Sequence, residues 1–236
     1  MVTRPQRRGK GAPRFRALSH RARITVKFPQ YSEETINGVI KDIIHHFMHK
    51  APVAEILLEN GEVFYIPAPL GAYTGMKIQI GPNAEVKVGN ILPLKNIPEG
   101  TEIFMIEKIP NDGGKFVRSA GLCAKIVGKE GERVFVQLPS RKIIELNEKC
   151  RAVIGVVAGG GKKEKPLVKA GTAYYVKRLK LRKVWPHVAA RAMVAADHPM
   201  GGGRRRTHRP KTVSKRAPRG AKFGSIGARR TGRRKK

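Results

Sequence analysis

The charge of this chain falls into three blocks, and that division limits what can fold. Residues 28–150 carry fourteen Lys/Arg against fifteen Asp/Glu. Residues 1–27 carry nine Lys/Arg and no acidic residue, and residues 151–236 carry twenty-six against only Glu164 and Asp197. The near-neutral middle can close around a core of its own. The flanks repel themselves and hold too little apolar surface to offset the entropy of ordering, so they require a polyanionic partner. The total of +32 over 236 residues points the same way.

Short apolar runs separated by turn residues fill the middle block. Ile36–His45, Val53–Leu58, Glu62–Ile66, Lys77–Ile80 and Glu85–Val88 read as strands, with Asn60-Gly61 as a hairpin turn. Val88–Gly100 reads as a linker. A second set follows at Glu102–Ile109, Leu122–Val127, Arg133–Leu138, Lys142–Leu146 and Ala152–Val157. The alternation Val134, Val136, Leu138 suits one buried face. Both sets fit small β-barrels, which makes the fold class all-β. In the first arm, Pro5, Gly9, Gly11 and Pro13 argue against a long helix. Its aromatics Phe15, Phe28 and Tyr31 either stack on bases or pin the arm to the body, and pinning is the commoner role.

Beyond Val157 the composition changes. Ala170–Leu181 is expected to form a short helix with Tyr174, Tyr175, Leu179 and Leu181 on an apolar side, and Pro186 lies beyond its end. After Gly203 no periodicity remains, so an irregular, extended tail is expected. Between them lies Asp197-His198-Pro199-Met200-Gly201-Gly202-Gly203, followed by Arg204-Arg205-Arg206. Glycines let a backbone lie flush against another surface, and arginine forks suit phosphate. Taken alone the stretch fits either nucleic-acid contact or a hinge before a basic tail. The length of the basic arms favours contact. Small barrels favour RNA over the competing reading, a DNA-compacting protein with a histone-like tail.

Other classes find little footing. Cys123 and Cys150 make neither a disulfide framework nor a zinc pair, and read as reduced thiols. No apolar run approaches the roughly 20 residues of a membrane helix, and the N-terminus has no secretory core, so a cytoplasmic protein is expected. His45-His46-x-x-His49 lacks a fixed ligand geometry and reads as a solvated or RNA-facing loop rather than a metal site. Asp197 beside His198 raises the possibility of a general base, but no nucleophile lies near and adjacent side chains rarely face each other, so contact is preferred to catalysis. There is no Gly-Lys-Ser/Thr phosphate loop. Neither cofactor nor metal is expected.

The motifs point further. Gly155–Gly161, Glu164-Lys165-Pro166-Leu167-Val168-Lys169-Ala170-Gly171, Lys183-Val184-Trp185-Pro186, Ala192-Met193 and Asp197–Gly203 occur in order. Together with Phe15-Arg16-Ala17, Ser19-His20-Arg21, Ala51-Pro52-Val53-Ala54 and Gly113-Gly114-Lys115-Phe116, they resemble the universal large-subunit ribosomal protein two family in its archaeal and eukaryotic form. The resemblance covers nearly the whole chain. Met200, Ala189-Ala190 and Val194 stand where that family usually has His or Phe, Arg-Gly and Asn. The loop here therefore offers fewer polar contacts.

That resemblance implies an OB-fold barrel at 35–88 and an SH3-like barrel at 89–172, flanked by basic extensions at 1–34 and 173–236. It implies a structural, non-enzymatic component of the large ribosomal subunit. The expected partners are large-subunit rRNA, neighbouring ribosomal proteins and the small subunit at the interface, with the C-terminal arm near the peptidyl-transferase region. The expected rRNA contacts are Arg14, Arg16, Arg21, Arg151, Lys169, Lys177, Arg178, Lys183, Arg191, His198, Gly201, Gly202, Gly203, Arg204, Arg205 and Arg206.

Overall fold

The computed structural model describes residues 11, 13–15, 24–30, 34–46, 49–161, 164–180, 185–186, 188–198, 200–202, 212–218, 222 and 224–229; for Arg14 and residues 178–180 only the backbone is described. The chain divides into two compact units, Ser19–Lys165 and Met1–Leu18 with Pro166–Lys236.

The first unit is all β. Strands β1 (Ile36–Ile44), β2 (Val53–Leu58), β3 (Val63–Pro67) and β4 (Lys77–Ile80) form its first half. Strands β5 (Ile91–Pro93), β6 (Glu102–Phe104), β7 (Ala124–Glu130), β8 (Arg133–Gln137), β9 (Ile143–Asn147) and β10 (Arg151–Ile154) complete it. They join in one sheet in the order β3-β2-β1-β4-β5-β10-β6-β7-β8-β9. The hairpin at Asn60-Gly61 forms as its sequence requires: Gly61 takes φ 82°, and the β2–β3 register pairs Leu57 with Val63 and Val53 with Pro67.

Two apolar clusters fill this unit. Ile40, Ile56, Ile66 and Ile78 anchor the first, and Ile126, Val134, Val136 and Ala152 belong to the second. Each fully buried aliphatic side chain contributes about 1.5–3 kcal/mol. Two cores on a continuous sheet agree with an OB-type barrel followed by an SH3-like one.

Several expected strands moved. Glu85–Val88 is not a strand, because side chains serve its backbone: Gln79 Oε1 accepts from the Glu85 N–H at 3.0 Å, and Asn90 Nδ2 donates to the Glu85 carbonyl at 2.9 Å. The supposed linker instead supplies β5. Its three residues are buried, and they carry the sheet from β4 to β10 through the pairs Ile80–Ile91 and Val153–Ile91. The strand expected over Glu102–Ile109 stops at Phe104, because Met105 adopts φ 48°.

The end of the first arm is built into the body. Val26 and Phe28 are buried in the first core, and Lys27 N–H donates to the Tyr65 carbonyl at 3.1 Å. This segment lies along β3, an edge strand whose unpaired groups would otherwise be open. Phe28 thus has the pinning role; Tyr31 lies outside the described residues.

In the second unit, the expected helix is one α-helical turn, Ala170–Tyr174, continued by a π-helical stretch, Tyr175–Lys180. Leu181 is outside the described residues. The tail also departs from expectation: Thr212–Val213 (β11) and Ser225–Ile226 (β12) pair in parallel. One apolar residue on each side gave too sparse a pattern to read from sequence.

Candidate nucleic-acid interface

The glycine-rich loop is held by its own backbone. The 3-10 turn Ala190–Ala192 leads into Met193 and Val194, whose carbonyls hold Asp197, His198 and Gly202. Asp197 and His198 N–H both donate to the Val194 carbonyl, at 3.0 and 3.2 Å, and Gly202 N–H donates to the Met193 carbonyl at 2.9 Å. A Cβ on Gly201 would sit 2.5 Å from the Met193 carbonyl oxygen and still closer to that of Val194. The need for glycine at 201 is therefore internal. Gly202 has φ 75°, a left-handed conformation that disfavours any side chain.

The imidazole of His198 belongs to the same network. Its Nδ1 accepts from the Met200 N–H at 3.1 Å. In the neutral ring this puts the proton on Nε2, which then donates rather than accepts. An Nδ1 engaged as acceptor has no N–H to give to Asp197, so the pair is not a general base with its orienting carboxylate.

The other expected contacts are spread over the chain. Lys169 is exposed at the N-cap of the helical turn, and Arg191 is exposed on the 3-10 turn. Lys177 Nζ stands 5.3 Å from the ring centre of Trp185. The backbones of Arg14 and Arg178 lie in the 3-10 turn Pro13–Phe15 and in the π-helical stretch. Arg16, Arg21, Lys183, Gly203, Arg204, Arg205 and Arg206 lie outside the described residues.

Arg151 requires correction. It opens the basic C-terminal block in sequence, yet its side chain is only 4% exposed and that of Glu107 is 0% exposed. Arg151 Nη2 donates to Glu107 Oε1 at 2.8 Å, and its Nε and backbone N–H donate to Oε2 at 3.2 and 2.9 Å. Gly113 N–H donates to Oε1 at 3.1 Å, Gly113 O accepts from Phe28 N–H at 3.2 Å, and the guanidinium lies 5.3 Å from the Phe28 ring centre. The fork expected to hold phosphate instead closes a ring of core contacts that pins the first arm.

Arg118 was hidden by the neutral total of its block. Its Nη2 donates to the Val26 carbonyl at 2.8 Å, while its buried Nε finds no hydrogen-bond partner among the described residues. His49 is close enough that Arg118 helps to lower its pKa, after desolvation and ahead of His46. The His46 and His49 rings are 5.1 Å apart, so the histidine cluster is partly buried rather than a fully solvated loop. Among the described residues no three His, Cys, Asp or Glu gather as metal ligands, and no helix is long and apolar enough to cross a membrane.

Residues 87–220 match the family described as Ribosomal Proteins L2, C-terminal domain. The chain is 50% identical over 230 residues to the large ribosomal subunit protein uL2 of Methanothrix thermoacetophila, covering 97% of each. The chain belongs to this family. Similarity is as high to the uL2 protein of Desulfurococcus amylolyticus, 50% over 233 residues, covering 98% of this chain and 97% of the relative. The uL2 family is structural rather than enzymatic, in line with the loop geometry at His198. Membership lends no support to the DNA-compacting alternative.

Proposed function

We propose that this chain is a structural constituent of the large ribosomal subunit in the cytoplasm, where it binds large-subunit rRNA mainly through its basic arms and glycine-rich loop. The observation that carries the reading is the partition of charge: a body of net charge −1 between segments of +9 and +24. The two barrels are platforms, and the flanking segments supply the phosphate contacts. The contact set comprises Arg14, Arg16, Arg21, Lys169, Lys177, Arg178, Lys183, Arg191, His198, Gly201, Gly202, Gly203, Arg204, Arg205 and Arg206. Arg151 leaves that set because it is bound to Glu107.

The C-terminal loop lies against RNA near the peptidyl-transferase region, beside neighbouring ribosomal proteins, and the chain supports association with the small subunit. The resemblance of Asp197–Gly203 to its family counterpart supports that placement. His198 acts there by contact, a role supported by its engaged Nδ1. The test is sedimentation of tagged chain from a cell extract through a high-salt gradient. Co-migration with the large subunit is expected. Release into the free fraction, or equal affinity of purified chain for duplex DNA and folded large-subunit rRNA at high salt, would overturn the reading.

A further inference from the structure

The outer face of the sheet at β1, β2 and β3 carries an apolar row that its own strands leave uncovered. Val39 on β1 pairs with Leu57 on β2, and Leu57 pairs with Val63 on β3. The three are 40%, 41% and 39% exposed, while Ile40, Ile56 and Phe64 beside them turn inward and are buried. Residues directly opposite in a sheet bring their Cβ atoms to roughly 4.5–5.5 Å, so the three side chains form one strip about 10 Å long across the strands. Single exposed aliphatics are ordinary on a protein surface, but three in register make one contiguous patch.

Charge decides what can cover it. On one flank, Asn37 Nδ2 lies 3.2 and 3.4 Å from the two Glu59 carboxylate oxygens, and Gln79 Nε2 donates to Asn37 Oδ1 at 3.2 Å. The other flank places Asp42 opposite Glu55, with Lys41 Nζ 3.5 Å from Glu55 Oε1. Glu62 stands exposed at the hairpin next to Val63, and Lys77 pairs with Val39 at the far end of the strip. Glu55, Glu59, Glu62 and Asp42 thus border the strip against Lys41 and Lys77, in a chain of net charge +32. Among the described residues, Glu55 alone of these carboxylates is ion-paired. Such a border repels phosphate and suits Lys and Arg.

We propose that this face docks an extended segment of a neighbouring protein in the large subunit, one that carries a basic, an aliphatic and a basic residue at every second position. The aliphatic side chain rests on Leu57 between Val39 and Val63, and the basic ones meet Glu55 and Glu59. Same-side residues in an extended chain repeat about every 6.6 Å, the spacing that separates Glu55, Leu57 and Glu59 along their own strand. The proposal rests on the ribosomal reading above and adds to it the place and the chemistry of a protein contact.

The test uses purified large subunits carrying the full chain with the photoreactive residue benzoylphenylalanine in place of Leu57, irradiated and mapped by mass spectrometry. The adduct should lie on another protein, within a segment that has an aliphatic residue and Lys or Arg two positions to either side. The same replacement at Val39 is a second reporter and should mark the same segment. Reversing the hairpin border with Glu59→Lys and Glu62→Lys should lower the adduct yield roughly 2- to 30-fold, with the chain still co-sedimenting. An adduct on rRNA, an adduct on a protein segment without this pattern, no adduct from either position, or a yield unmoved by the charge reversal would overturn the proposal. Failure of the broader reading looks different: the parent chain itself would not co-sediment with large subunits.

Discussion

Replacing Arg151 decides between the role expected from sequence, phosphate contact, and the one the structure gives it, a core ion pair. Glu107 accepts four N–H groups, three of them from Arg151, at 2.8 to 3.2 Å. Arg151→Ala leaves that carboxylate buried with its counter-charge gone, a loss of about 3–5 kcal/mol. Against the roughly 5–15 kcal/mol that holds a typical domain, this is a large share. The melting temperature of the full chain, followed by far-UV circular dichroism at fixed ionic strength, should fall by roughly 6–20 °C. Arg151→Lys should recover only part, because one ammonium replaces a two-pronged fork. The double variant Glu107→Gln with Arg151→Met should melt well above Arg151→Ala, since no buried charge is left unpaired and the Gln carbonyl still accepts from a backbone N–H of Gly113 or residue 151. A variant Arg151→Ala that melts within about 1 °C of the parent yet loses RNA affinity would refute the core assignment.

The same geometry has other consequences. Deleting residues 204–236 should flatten the salt dependence of rRNA affinity, and an unchanged log–log slope would make that segment a bystander. His49 has its pKa lowered from the ordinary 6.5 by burial, with Arg118 and His46 adding repulsion. The unfolded chain therefore takes the proton first as pH falls. This stabilising contribution is complete above about pH 6.5 and lost as pH drops through the lowered folded value; His49→Gln should flatten that part of the denaturation profile. The Cys150 thiol is pushed up to about 11, chiefly by burial and then by Glu107, while Cys123 is raised but partly exposed. A thiol reagent near pH 8 should modify Cys123 first and reach Cys150 only on unfolding; the reverse order would contradict the packing. Gly202→Val forces a β-branched side chain to φ 75° and should impair incorporation into large subunits, measured by gradient profiles.

How much could be read from the sequence depended on how local each signal was. Asn60-Gly61 carries its turn in two residues, so β2 and β3 were legible. The alternation at Val134 and Val136 placed β8 with its correct buried face. Strand β5 was not legible, because a three-residue apolar run ending in Pro93 resembles a linker until β10 pairs with it. The same limit hid Arg151. Its partner Glu107 lies 44 residues away, and no local pattern distinguishes an arginine that opens a basic block from one that closes a core. The helical period expected over 170–181 puts Tyr175 on an apolar side, yet it is 62% exposed at the start of the π-helical stretch.

The glycine loop shows why such segments need more than charge. Gly201 is required by the Met193 and Val194 carbonyls, and Gly202 by its own φ, before any partner arrives. The hydrogen bonds from Asp197, His198, Gly201 and Gly202 N–H fix the backbone within the loop itself. A loop already in its binding shape gives up less conformational freedom on contact than a free chain of the same composition. Arginines can follow phosphates in many arrangements, but a backbone that must lie close to a surface needs its curvature set in advance. In the function proposed here the basic arms supply the attraction and the self-bonded loop supplies the shape. Met200 fits that division: its N–H holds His198 Nδ1 whatever side chain it carries, so the departure from the family's usual residue leaves the fold of the loop intact.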